Sequence, residues 1–177
     1  MTWSVASIEI QRLRSGILSG AVKLLVVPLG LGDLEGIAWS GGRAHLENVA
    51  CQLGRVGSGE VEYLAVRVSG GCVVAKGGID FAKEPGAGTI WQLATHPGQE
   101  SLGLATRLIS ELEVSACRRG VHRVRLAVEV GNNRALRLYE HLGYEPIGES
   151  NASWEAEAPD GSRFLYTAQL TEMAKIV

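Results

Sequence analysis

Residues 89–109 read TIWQLATHPGQESLGLATRLI: a short apolar run, a loop carrying Pro97, Gly98 and Gly103, and the start of an amphipathic repeat. Ala105, Leu108, Ile109, Leu112 and Ala116 continue that repeat at i, i+3, i+4, i+7 and i+11, one stripe of a helix. Arg118 and Arg119 suit the negative end of such a helix, and Gly120 suits the left-handed residue beyond it. A strand that runs through a glycine-bearing loop into a helix is suited to binding anions. The first helical turn leaves amide N–H groups without partners and carries positive partial charge. Gly103 and Ala105, with little or nothing at Cβ, permit close approach of a pyrophosphate, and Thr106 adds a hydroxyl. Taken alone, the same pattern also fits an ordinary strand-to-helix turn.

The next segment narrows the choice. Val124, Leu126, Val128 and Val130 alternate as a strand, and residues 128–144 read VEVGNNRALRLYEHLGY. Asn132 or Asn133 caps a helix whose Ala135, Leu138, Tyr139 and Leu142 share a face; Gly143 ends it, and 144–148 return as a strand. Residues 89–148 together resemble the cofactor core of the GNAT N-acetyltransferase superfamily, which uses acetyl-CoA. That family's strand-loop-helix reads roughly V-x-P-x-x-R/Q-x-x-G-x-G/A, matched in register by Thr95, Pro97, Glu100, Gly103 and Ala105. Its later segment, N-x-x-A-x-x-x-Y followed by L-G-F/Y, is matched by Asn132, Ala135, Tyr139 and then Leu142, Gly143 and Tyr144. Three positions depart from the pattern: Thr95 replaces an aliphatic residue, Glu100 an Arg or Gln, and Ser101 a Gly. A carboxylate near a pyrophosphate is unfavourable unless it points away or pairs with a cation, for which Arg107 and Arg137 are candidates.

The resemblance implies transfer of an acetyl group from acetyl-CoA to a primary amine by direct attack in a ternary complex, without a metal. It implies cofactor contacts from Leu93, Ala94 and Thr95 at the strand end. Glu100, Ser101, Gly103, Leu104, Ala105 and Thr106 would follow in the loop and first turn, with Asn132 and Tyr139 completing the set. Tyr139 is the matching general acid for the departing thiolate, or else it only extends an apolar stripe. Asn132 would bond the pantetheine arm or thioester region, cap its helix, or do both. A base for the acceptor ammonium is not singled out among Glu129, His96, Glu35 and Asp33, and Gln92 cannot act as one. Arg118 and Arg119 either meet the 3′-phosphate of CoA or complement the helix dipole. Trp39, Trp91 and Trp154 either line an acceptor pocket or pack in the core. The rival reading is a non-catalytic acyl-CoA-sensing or partner-binding module on the same fold. An unrelated nucleotide binder is disfavoured, since neither G-x-x-x-x-G-K-S/T nor a G-x-G-x-x-G after a strand is present.

The rest of the chain agrees with this reading. At 177 residues, 46% of them hydrophobic, it is the size of one domain with a real core. Residues 1–20 are expected to be an N-terminal extension or first strand, and 21–177 the domain, with its cofactor core at about 89–148. A strand at 22–27, a short helix capped by Asp33 and a helix at 43–53 come first. A hairpin of 61–66 with 72–81 follows, and the last strand lies at 163–170. The expected fold is α/β, a mixed, mostly antiparallel central sheet flanked by helices. A net charge of −2 argues against a nucleic-acid partner. With no membrane-spanning run and no signal pattern at the start, a cytoplasmic protein is expected. Cys51, Cys72 and Cys117 are too scattered for a zinc site or disulfide framework and are expected as buried or half-buried thiols. Residues 141–162 hold five acids and no Lys or Arg, which suits either a cationic acceptor, a small-molecule or peptide amine, or simply a solvated face. Monomer and homodimer both stay open.

Overall fold

The computed structural model describes residues 23–68, 71–158 and 160–177; the expectations for residues 1–20 and for the hairpin turn at Ser69 and Gly70 lie outside them. The described residues form one seven-stranded sheet. In chain order its strands are β1 (Leu24–Pro28), β2 (Val61–Val68), β3 (Val73–Glu84), β4 (Ala87–Thr95), β5 (Arg123–Glu129), β6 (Glu145–Glu157) and β7 (Arg163–Ile176). Across the sheet they run β1-β2-β3-β4-β5-β7-β6. Every neighbouring pair is antiparallel except β4 with β5. Helices α1 (Arg43–Gly54), α2 (Leu104–Arg118) and α3 (Asn133–His141) complete the α/β domain.

Two cores cover the two faces. The stripe predicted for α2 is buried, with Leu108, Ile109, Leu112 and Ala116 at 1% exposure or less, against Leu64, Val66, Ile79, Ile90, Val124 and Leu126. On the other face Ile37 and Val49 pack with Tyr63, Ala65 and Val73. Glu113 joins α2 to the far side of the sheet: one carboxylate oxygen accepts from both Tyr144 Oη and Lys175 Nζ at 2.9 Å. The long β6–β7 ribbon reaches back to α1. Glu157 accepts from the Ala44 N–H at 3.3 Å, capping α1 from a distant part of the chain, and Arg163 bridges Glu47 and Glu155.

Three expectations need correction. Residues 31–40 form two short 3-10 turns, Leu31–Asp33 and Glu35–Ser40, instead of one helix capped by Asp33. Gly32 and Gly36 weaken the α alternative, and the Asp33 carboxylate reaches back to the Gly30 N–H at 2.8 Å and is held by Arg67. Strands β6 and β7 run to Glu157 and Ile176, well past the expected 148 and 170. The three thiols are free and exposed, because Cys51 and Cys117 lie off the buried stripes of their helices and Cys72 sits beside the hairpin turn.

Replacing Glu113 with Ala leaves the Tyr144 hydroxyl and the Lys175 ammonium without their shared acceptor. Charged hydrogen bonds of this kind contribute about 1.5–3 kcal/mol each. Urea unfolding of Glu113→Ala is therefore expected to show a loss of about 2–4 kcal/mol; a loss below about 0.5 kcal/mol would show that the tie is incidental.

Candidate active site

The site begins where a ladder fails. β4 and β5 pair only at Gly88–Val124 and Thr89–Arg125, and beyond these the strands part. A β-bulge marks the change: β3 and β4 pair at Gly78–Trp91 and again at Lys76–Ala94, so Gly77 faces both Gln92 and Leu93. Gln92 takes a left-handed φ of 50°. Gly77 leaves room opposite it: a Cβ there would stand 2.8 Å from Leu93 Cδ1, so that the leucine end would have to shift. The His96 N–H bonds Val74 O on β3 at 2.8 Å. By strand alternation, the amides of Thr95 and Leu93 turn the other way, towards the gap.

The start of α2 meets the same gap. Gly103 stands at the N-cap with φ 75°, and no side chain caps the helix. The first amide to close the ladder is that of Arg107, on Gly103 O at 3.0 Å. The amides of Leu104, Ala105 and Thr106 are left for a ligand, at the positive end of a 15-residue helix. A cavity of about 440 Å³ lies between these elements. All the residues singled out for cofactor contact line it, from Leu93 and Thr95 at the strand end to Asn132 and Tyr139 on the far wall.

The profile of the Acetyltransferase (GNAT) family matches residues 34–144. The chain belongs to this family. Its fold is shared with a ribosomal-protein-alanine N-acetyltransferase from Escherichia coli, at TM-score 0.67 and 21% identity over 87% of this chain and 94% of the other. A ribosomal-protein-alanine N-acetyltransferase from Brucella melitensis superposes at TM-score 0.66, with 20% identity over 86% and 99%. A spermidine N-acetyltransferase chimera from Vibrio cholerae gives TM-score 0.65, with 18% identity over 86% and 95%. No helix among the described residues is long and apolar enough to cross a membrane, and none of their side-chain clusters would hold a metal.

The departures from the GNAT loop pattern have visible consequences. Glu100 forms an ion pair with Arg134, not with Arg107 or Arg137. Arg107 is taken by Glu111, one turn on, at 2.8 Å. Arg134 also approaches Ser101 Oγ at 3.3 Å and itself lines the cavity, as do Ala135 and Leu138. Ser101 has φ 64°, which accounts for the family's preference for Gly at that position. Here a serine holds the same conformation, at a strain of order 1 kcal/mol.

Tyr139 is 9% exposed, and burial pushes its phenol pKa upward, so it stays protonated at neutral pH. Asn132 caps α3, with Oδ1 accepting from the Ala135 N–H at 3.2 Å. Other candidates are occupied elsewhere. Glu129 accepts from the Tyr166 hydroxyl, and Asp33 is paired with Arg67. His96 packs its ring 5.2 Å from that of Trp39. Arg119 stacks over Phe81 and donates to Gly59 O. It stands at the opposite end of α2 from Gly103, about 24 Å away at 1.5 Å per residue, which does not suit a contact with the same ligand. Trp39 and Trp91 pack with the second core, whereas Trp154 is 43% exposed against Tyr166. Most of the acids expected to attract a cation are engaged: Glu149 by Gln169, Glu155 by Arg163 and Glu157 by α1.

A polar cluster beside the bulge was not anticipated. Lys76 is fully buried, and burial pushes its pKa down to about 8. Its Nζ donates to Tyr63 Oη at 3.0 Å and Gln92 O at 3.3 Å. Tyr63 in turn donates to Gln92 Oε1, and Gln92 Nε2 donates to Asn48, both at 2.8 Å. The sequence signal was a lysine within the apolar run 73–79, flanked by Ala75 and Gly77. His45, on α1, has its pKa lowered to about 4 by burial and then by the Lys76 charge, and its Nε2 is buried without a partner.

Because His45 resists protonation when folded, its contribution to stability is complete above pH 6.5 and is lost as pH falls towards 4. Chemical denaturation is expected to show this loss at up to about 1.4 kcal/mol per pH unit. His45→Asn should flatten that limb; an unchanged profile would show that the imidazole titrates normally.

Proposed function

We propose that the chain is an N-acetyltransferase that moves an acetyl group from acetyl-CoA to a primary amine by direct attack in a ternary complex. The observation that carries this reading is the single cavity bounded by uncapped α2 amides, the inward-turned amides of Leu93 and Thr95, and the Tyr139 phenol. Its donors fit a phosphorylated thioester carrier. The amides of Leu104, Ala105 and Thr106, with the Ser101 and Thr106 hydroxyls, suit a pyrophosphate. Leu93 and Leu138 offer apolar surface to the arm between phosphate and sulfur. The ion pair with Arg134 relieves the like-charge penalty of Glu100.

Acetyl-CoA, when bound, supplies an acetyl group activated as a thioester. The amides of Leu93 and Thr95 donate to the thioester oxygen as negative charge develops there, and being fixed in the sheet they need no reorganisation. The amine nitrogen forms the new C–N bond, Tyr139 donates its hydroxyl proton to the departing sulfur as the C–S bond breaks, and the proton released by the nitrogen restores the phenol. Asn132 fixes the start of α3 and thereby the position of Tyr139, two turns on. The acceptor is an amine reaching the same gap; the spermidine and ribosomal-protein alanine acetyltransferases that share the fold act on amines of very different size.

A thermal-shift titration with acetyl-CoA, CoA and ATP tests the reading. Ligand at a hundredfold excess over its dissociation constant is expected to stabilise the protein by about 2.7 kcal/mol. Both CoA species should do so and ATP should not; no shift with CoA would remove the reading. A shift with no thiol release across an amine panel would indicate an acyl-CoA sensor. Tyr139→Phe is expected to lower kcat by about 10²–10⁴-fold with CoA affinity unchanged, and equal rates across pH would remove Tyr139 from the acid role. Arg134→Ala should weaken CoA binding by about tenfold, or 1.4 kcal/mol, and adding Glu100→Gln should restore it. Calorimetric affinities that ignore both changes would show the ion pair to be bystander surface charge.

A further inference from the structure

Lys76 is the one fully buried cation among the described residues, and it has no carboxylate partner. An uncompensated ammonium in a protein interior is strongly unfavourable, so its retention calls for a role beyond packing. Its side chain lies on the α1 face of β3 with Tyr63, and its Nζ reaches Gln92 O, the carbonyl of the residue that takes the left-handed φ. From the other face, Gly77 gives β4 the room to bend. The bulge follows three residues after pairing with β5 ends at Thr89, and Leu93, next after Gln92, lines the cavity that opens there.

We propose that Lys76 is a positioning residue for acyl transfer: by holding the Gln92 carbonyl and the Tyr63 hydroxyl, it fixes the β4 bulge that aims the Leu93 and Thr95 amides at the reacting carbonyl. This rests on the acetyl-transfer reading. It makes a buried side chain that touches neither cofactor nor acceptor responsible for turnover but not for cofactor capture. The pyrophosphate grip belongs to α2, on the opposite side of the sheet from Lys76 and built independently of the bulge.

Lys76→Met keeps the length of the side chain and removes the donor. The variant is expected to bind CoA, which has no acetyl carbonyl, within about threefold of the parent affinity, while kcat falls about 10²–10³-fold, as for removal of one oxyanion donor. In ¹⁵N spectra of the ligand-free variant, the Leu93 and Thr95 amides should shift. A folded variant with kcat within threefold of the parent, or with those amides unmoved, overturns the inference, as does loss of CoA affinity in parallel with rate. Should Lys76→Met fail to fold, the parent protein supplies the test: the ¹³C resonance of the Gln92 carbonyl is expected to titrate together with the Lys76 ammonium, whose pKa burial lowers to about 8. The groups facing Lys76 do not titrate there. His45 on α1 is held near 4, and Tyr63 on β2 is raised by burial. A flat Gln92 carbonyl between pH 7 and about 9.5 overturns the inference. Absence of CoA binding and turnover in the parent would sink the acetyl-transfer reading instead, and the two spectroscopic results would still decide whether Lys76 holds the bulge.

Discussion

A parallel pair of strands normally continues until one of them ends. Here β4 and β5 share two residue pairs and then separate while both continue, which leaves backbone donors facing an opening in place of a neighbour. Unpaired strand amides inside a folded domain are costly unless water or a ligand takes them up. The opening therefore demands an occupant with acceptors, and the residues around it are arranged accordingly. Gly77 makes room for the bend and Gln92 supplies it. α2 then brings its open end to the same place, so strand amides and helix amides converge on one cavity.

Charge on the cavity wall is adjusted by the same economy of means. Glu100 would oppose an anionic ligand, but α3 contributes Arg134, which binds the carboxylate and also borders the cavity. The cation beside the cavity thus comes from α3 and not from the loop itself. Salt bridges this exposed contribute little to stability. The value of this one lies in the local potential it sets beside the uncapped helix turn.

Much of this was legible in the residues, and for local reasons. Leu108, Ile109, Leu112 and Ala116 fix the buried face of α2 by spacing alone, and Gly120 and Gly143 have the positive φ that their placement after helix C-termini foretells. The residues singled out along one strand end, one loop and two helices were found lining one cavity because each of those segments is short and local in sequence. What escaped depends on partners far along the chain. For Glu100 the sequence pointed to Arg107 and Arg137 and passed over Arg134, since nothing local says which arginine of α3 faces the loop or that Arg107 is taken by Glu111. Lys76 resembles a surface lysine until β2 and β4 enclose it. The full reach of β6 and β7 was hidden by polar residues such as Ser150, Asn151 and Ser153, which carry no apolar alternation and are held in the strand by pairing and by cross-strand bonds to Glu172 and Thr167.

The cap that Glu157 places on α1 couples distant times as well as distant residues. The two partners are 113 positions apart. During synthesis the helix emerges long before its terminal carboxylate exists, so its first turn frays until the C-terminal ribbon has docked. Such remote closures raise contact order and slow the search for the native state. A chain truncated before Glu157 would retain the helix sequence without the group that anchors its beginning.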